Sequence, residues 1–421
     1  MNIRSLFSKS KIEITVVKKN ENGLIFHVKD GKGLLINKYG PVDGKGLYAL
    51  TFDDIPLIKF HGDEYFCPTC EKLVSAGYGL DMSDNKTIFE MSDVLNEPFV
   101  NLEKSLNDLK PLLGLLSTGY YILSEKDIFP TDGCGKFFWS IGNTPSVNRA
   151  TVPVYDGLSF NWNSPTPKYA LPTQSPKLFN PERVAHYMAH DNNSRAIAYA
   201  LEGYLCALID GHHKACAATL QGKALKTLVI EPPIGLSYPN KTTGAKWGLC
   251  FPGFTLYEDE IHESFESVQK SFSTGSLLTK EETLKYLSMI NDECDNFLCP
   301  ADLLDASKIY YDVFTHACIE WAGDLSDERL TRIIDGKENP DESILNYIVN
   351  ALYATANPRF TEFAIYIGKN ENYAGIWFEI FSLLSKIKSK EIEDFFIDFL
   401  ICDYNLRPYL TKIADDYLSV V

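Results

Sequence analysis

The stretch ALIDGHHKACAATL, residues 207–220, runs from an apolar segment into Asp210-Gly211, then His212, His213 and Lys214, then small residues. Those types in that order suit an anion. A helix that starts just after Gly211 would offer unpaired backbone N–H groups and the positive end of its dipole. Gly211 lets the backbone approach a phosphate closely. His212 and His213 carry ring donors, and Lys214 carries a full charge. Asp210, at the end of a strand, can orient a histidine or hold a magnesium ion. Asp210, His212 and His213 are therefore the candidate catalytic residues, with Gly211, His213 and Lys214 the candidate phosphate contacts. Glu182, Arg183 and His186, on a helix expected to flank the same cleft, and Glu202 stand in the second rank. The alternative is a solvated polar turn between a strand and a helix.

A second grouping, Cys67-Pro-Thr-Cys70, has the two-residue spacing that brings two sulfurs to one zinc ion. Cys134 and His61, in the same β-rich region, are the residues that would complete a structural zinc site. The alternative is a pair of reduced core thiols. A thioredoxin-like use is disfavoured, because no βαβ pattern surrounds the pair.

Three regions must position these residues. Residues 1–150 open with β-branched runs, KIEITVVKK, GLIFHVKD and KGLLINKYG, separated by Asn-Gly and Asp-Gly turn signals. Two strands are expected around the cysteine turn, then a helix interrupted near Pro111, then a strand-turn-strand segment over 119–142. Residues 151–252 begin in a segment rich in Pro, Ser, Asn and Thr. A helix is then expected at NPERVAHYMAH, with Asn180 as its cap and Pro181 in its first turn. A hairpin turning at Glu202-Gly203, a helix closed by Gly222 and a strand at ALKTLVIEPP complete a small α/β unit. Residues 253–421 carry apolar side chains at three- and four-residue spacing with short linkers, which predicts stacked helices. The expected fold class is α+β: a β-rich lobe with the zinc knuckle, an α/β unit and an all-helical domain.

The helix, hairpin, Asp-Gly-His turn, helix and strand between about residues 165 and 235 resemble the ParB/sulfiredoxin-like superfamily. That resemblance covers about a sixth of the chain and implies a nucleotide or phosphate ligand at residues 210–214, with Mg2+. Sulfiredoxins use a cysteine where this chain has His212, so their repair chemistry is not expected. ParB proteins bind and hydrolyse CTP, and bind DNA through a helix-turn-helix that has no counterpart here. Archaeal-type ADP-dependent serine kinases share the Asp-Gly-His turn, with arginine where Lys214 stands; lysine keeps the charge without the bidentate fork. The layout of residues 325–420 resembles a degenerate HEAT-type helical array.

Composition narrows the partners. The net charge of −16 is concentrated in residues 253–421, where 31 acidic side chains face 14 basic ones. Such a surface repels a nucleic-acid backbone. There is no apolar run long enough for a membrane span or a secretory signal, so a cytoplasmic protein is expected. P-loop, Gly-x-Ser-x-Gly and His-Glu-x-x-His motifs are absent from the sequence. Two functions fit. One is a nucleotide- or phosphate-binding protein, with hydrolysis or phosphate transfer left open. The other is a non-catalytic scaffold with a degenerate ParB-like unit and a helical surface for a protein partner.

Overall fold

The computed structural model describes residues 12–42, 45–63, 71–77, 79–81, 86–133, 149–153, 166–175, 178–190, 192–239, 246–274, 277–288, 310–403 and 406–419. The chain is mixed α+β, with sheets in its first part and helices in its last. It divides into two compact units, Met1–Tyr310 and Tyr311–Val421.

The first unit is built on three sheets. Strands β1 (Glu13–Asn20), β2 (Gly23–Lys29), β3 (Leu35–Val42), β4 (Lys45–Phe52), β5 (Ile55–Asp63) and β6 (Glu71–Ala76) come first. Short helices α1 (Lys86–Glu90), α2 (Ser92–Leu95), α3 (Leu102–Asp108) and α4 (Lys110–Leu113) follow, then β7 (Gly119–Ile128), β8 (Arg149–Pro153) and β9 (Tyr169–Leu171). The break between α3 and α4 at Leu109 has its cause in Pro111, which cannot donate into a continuing helix. Next are α5 (Pro181–Ala189), the β10 (Ala196–Ala200) and β11 (Leu205–Asp210) hairpin, α6 (His212–Leu220) and β12 (Leu225–Glu231). The unit continues through β13 (Gly235–Ser237), β14 (Gly248–Phe251), β15 (Phe254–Tyr257), α7 (Phe265–Thr274) and α8 (Lys280–Ser288).

The main sheet has the order β1-β2-β7-β12-β10-β11-β9. Pairs β10–β12 and β11–β9 are parallel, and the other neighbours are antiparallel. Strands from both sides of residue 150 therefore share one sheet, so the boundaries expected at 150 and 252 do not coincide with the edges of a compact unit. The reason is β7, whose first half, Gly119–Leu123, pairs with β2 and whose Ile122–Ile128 pairs with β12. Strands β3-β4-β5-β6-β8 form an antiparallel five-stranded sheet, and β13-β14-β15 a small third one. That third sheet precedes the helices, so the helical pattern expected from about residue 255 begins at α7.

Two features set up the 210–214 turn. Asn180 caps α5 by accepting from the Glu182 and Arg183 amides, as its position before Pro181 predicts. Helix α6 is buried along nearly its full length, and the small side chains Ala215, Cys216, Ala217 and Ala218 let it sit close to the sheet. Helix α5 packs over α6.

The second unit consists of α9 (Val313–Ala322), α10 (Asp327–Ile334), α11 (Glu342–Ala354), α12 (Phe360–Gly368), α13 (Trp377–Leu384), α14 (Lys390–Asp403) and α15 (Pro408–Ser419). Asp312, Ser326 and Asp341 cap α9, α10 and α11 through their side chains. One apolar core threads the unit, with Ile348, Phe363, Phe381 and Phe396 fully buried. Phe381 meets Phe395, Phe396 and Phe399 edge-on, with ring centroids 4.7–5.4 Å apart. Among the described residues no helix is long and apolar enough to cross a membrane.

Candidate functional site

Strand β11 delivers Asp210 to the start of α6, and Gly211 makes the corner with φ of +102°. The corner needs glycine for two reasons. The left-handed φ strains any L side chain, and a Cβ there would stand 2.6 Å from Ala196 Cβ. The close approach that Gly211 permits is thus to strand β10 of its own sheet.

The next three side chains are buried and take partners from the protein itself. His212, His213 and Lys214 are 3%, 8% and 7% exposed. His212 Nε2 accepts from the Thr173 and Gln174 amides at 3.0 and 3.2 Å. Two fixed donors on Nε2 require the neutral ring with its proton on Nδ1. Burial, with His213 beside it, holds the His212 pKa down at about 3. His213 Nε2 accepts from the Asn180 amide at 3.0 Å, and its ring stacks on Phe179. Burial and the Arg183 charge lower its pKa against the opposing Leu178 carbonyl. The two histidines thus tie the Thr173 and Gln174 backbone and the Asn180 backbone to the start of α6.

Lys214 is used in the same way. Its Nζ donates to Leu95 O at 3.0 Å and Arg195 O at 3.1 Å, and lies 5.7 Å from the Tyr187 ring centre. Burial lowers its pKa, and the Asp210 charge works against that shift. Asp210 is partly buried, and its pKa is raised by burial against the opposing pull of Lys214, the Gly211 amide and Arg183. The Gly211 N–H and the Lys214 charge both favour the ionised form of this carboxyl, and Lys214 is the stronger of its counter-charges.

Of the remaining candidates, Arg183 lies near enough to the turn for its charge to act on Asp210, His213 and Lys214. Glu182 and Arg183 are exposed on the first turn of α5. His186 is exposed further along the same helix, and Glu202 lies in the β10–β11 turn. Cys67, Cys70 and Cys134 lie outside the described residues, and His61 is described only through the backbone pairing of β5. Among the described residues no grouping of three or more His, Cys, Asp or Glu side chains could hold a metal ion.

A small cleft that the sequence did not signal opens beside the turn, with a volume of about 40 Å3; Phe99, Val100, Lys104, Asp108, Arg195 and Leu228 are among its walls. Arg195 is buried there. Its Nε and Nη2 meet Glu125 Oε1 at 2.7 and 2.6 Å, and its Nη1 meets Asn193 O and Oδ1 at 2.7 and 2.9 Å. The guanidinium lies 4.4 Å from the Phe99 ring centre. Lys104 is held between Glu97 at 3.0 Å and Asp108 at 2.6 Å. Each cation of the cleft already has an anionic partner, so its charges are balanced from within. An isolated arginine ahead of a strand carries no sequence signal for such a site.

The helical unit presents a different surface. On α14, Ile397 and Ile401 stand one turn apart and are 38% and 76% exposed. Asp394 and Asp398 share their side of the helix. Leu406 and Tyr409, at the start of α15, are 76% and 79% exposed. No family model matches this chain, and no curated protein or solved structure matches it either.

Proposed function

We propose that this chain is a non-catalytic binding protein, in which the α/β part is a framework and the helical unit captures a basic, amphipathic segment of another protein. The observation that carries the reading is the exposed set Ile397, Ile401, Leu406 and Tyr409 in a unit whose other large apolar side chains are mostly packed away. Asp394 and Asp398 flank the isoleucines, and residues 311–421 hold 19 acidic against 10 basic side chains. The exposed apolar side chains fit the leucine face of a helix. Asp394 and Asp398 are paired with Lys390 and Lys369 at 3.0 and 3.4 Å, so the attraction for lysines on that helix comes from the acidic excess of the unit.

The internal use of His212, His213 and Lys214 supports a framework role for the α/β part. The order α5, β10–β11 hairpin, α6, β12 supports a ParB/sulfiredoxin-like arrangement there, with its phosphate-facing side chains turned to structural use. A zinc ion on Cys67 and Cys70, completed by Cys134 or His61, belongs to the same proposal and is tested by metal analysis of the purified protein.

The test is fluorescence anisotropy with a labelled amphipathic Leu/Lys helical peptide and a Leu/Glu control. Salt-sensitive binding of the first only is expected, weakened about tenfold or more in Ile401→Asp/Tyr409→Ser. Unchanged affinity in that variant overturns the reading. The competing outcome is nucleotide binding: a rise in melting temperature with ATP, ADP or CTP and Mg2+ that Arg183→Ala abolishes.

A further inference from the structure

Helix α5 ends in His186-Tyr187-Met188-Ala189, and His190 is its C-cap, with extended backbone (φ −130°, ψ 95°), four residues after His186. Both rings are exposed, and they stack with centroids 4.8 Å apart and planes 24° apart. The His186 carbonyl takes the His190 backbone N–H at 2.9 Å and lies 3.2 Å from His190 Nδ1. A carbonyl only accepts, so His190 carries its ring proton on Nδ1 and its lone pair on Nε2. Fixing the tautomer through a backbone carbonyl is how proteins prepare a histidine to bind a metal ion. Gln221, just after α6, donates to Met188 O at 2.9 Å and holds this last turn of α5 in place.

We propose that His186 and His190 form an open two-histidine site for a divalent transition-metal ion. Two imidazole nitrogens, each about 2.0–2.1 Å from one ion, must converge to roughly 3 Å from each other. Exposed rings already stacked at 4.8 Å reach that by a modest rotation of their side chains. Imidazole selects Cu2+, Ni2+ or Zn2+, and the lack of a carboxylate disfavours Mg2+ and Ca2+. Among the described residues no third His, Cys, Asp or Glu completes the set, so the site is proposed as a two-ligand one. The inference is independent of the helical surface.

Isothermal titration of Cu2+, Ni2+ and Zn2+ into the full chain tests it, comparing the parent with His186→Ala, His190→Ala and the double variant. Any metal held by the knuckle cysteines is common to all four and cancels in the difference. The parent should bind one more equivalent than the double variant, with Cu2+ tightest. Each single substitution should weaken that equivalent on the order of tenfold or more, because one imidazole cannot chelate. Melting temperatures without metal should be the same for all four. Losses below twofold in the single variants, or an unchanged number of equivalents in the double variant, overturn the proposal. In a parallel measurement, Ni2+ or Cu2+ at low ratio should broaden two histidine ring resonances together; broadening spread evenly over the histidines also overturns it.

Discussion

Replacing Lys214 by methionine separates a structural lysine from one that waits for a ligand. Methionine keeps the aliphatic stem and removes the ammonium. The two carbonyls that Nζ serves, Leu95 O at 3.0 Å and Arg195 O at 3.1 Å, then lose a charged donor. Hydrogen bonds to a charged group contribute about 1.5–3 kcal/mol each, and a stranded buried carbonyl costs about 1–3 kcal/mol. Relief from desolvating the ammonium offsets part of this, and Asp210 loses its counter-charge. The balance is a loss of about 3 kcal/mol. At about 2 °C per kcal/mol for a large compact unit, the melting temperature falls by roughly 6 °C. Calorimetry on the full chain at neutral pH measures it. The variant also changes the alkaline side of the stability curve. A lysine whose folded pKa is below 10.5 sheds its proton in the folded state first, so the parent gains stability as pH rises through that window. The variant lacks that gain. A melting temperature within about 1 °C of the parent, with an unchanged alkaline limb, would refute the structural assignment of Lys214.

Three further outcomes follow from the same turn. In His212→Gln the acid side of the stability curve should flatten. The folded-state pKa of about 3 lies below the ordinary 6.5, so the parent loses stability as pH falls between them, at up to about 1.4 kcal/mol per pH unit. A stability-against-pH slope equal to that of the parent counts against the neutral, doubly accepting ring. Gly211→Ala should destabilise by about 2 kcal/mol or more, because both the φ and the Ala196 contact oppose a Cβ; urea unfolding reads this as a lower midpoint at unchanged slope. Asn180→Ala should lose about 1 kcal/mol through the α5 cap, visible as a small drop in the same midpoint.

Local structure was legible where a residue type has one dominant physical use. Asn180-Pro181 announced α5, Pro111 the break between α3 and α4, and Glu202-Gly203 the hairpin, where Gly203 adopts φ of +62°. Long-range pairing was not legible. Nothing in GYYILSEKDI says that this strand joins a hairpin begun near residue 23 to a strand begun near residue 225. The same limit governs the candidate site. His212, His213 and Lys214 read as exposed because such residues usually are. Their burial rests on backbone partners, the Thr173, Gln174 and Asn180 amides for the histidines and the Leu95 and Arg195 carbonyls for Lys214; such groups recur along the whole chain and so leave no trace in residue types. Arg195 escaped for a similar reason, since half of its hydrogen bonds go to Asn193.

The position of β7 has a consequence for how the protein is made. Its hydrogen-bonding edge toward β12 stays open on the ribosome until about a hundred further residues have been synthesised. During that interval the edge of β7 in the β1–β2–β7 group is an unpaired template of the kind that other chains add to. Late closure of the main sheet is therefore built into its connectivity, whatever the finished protein binds.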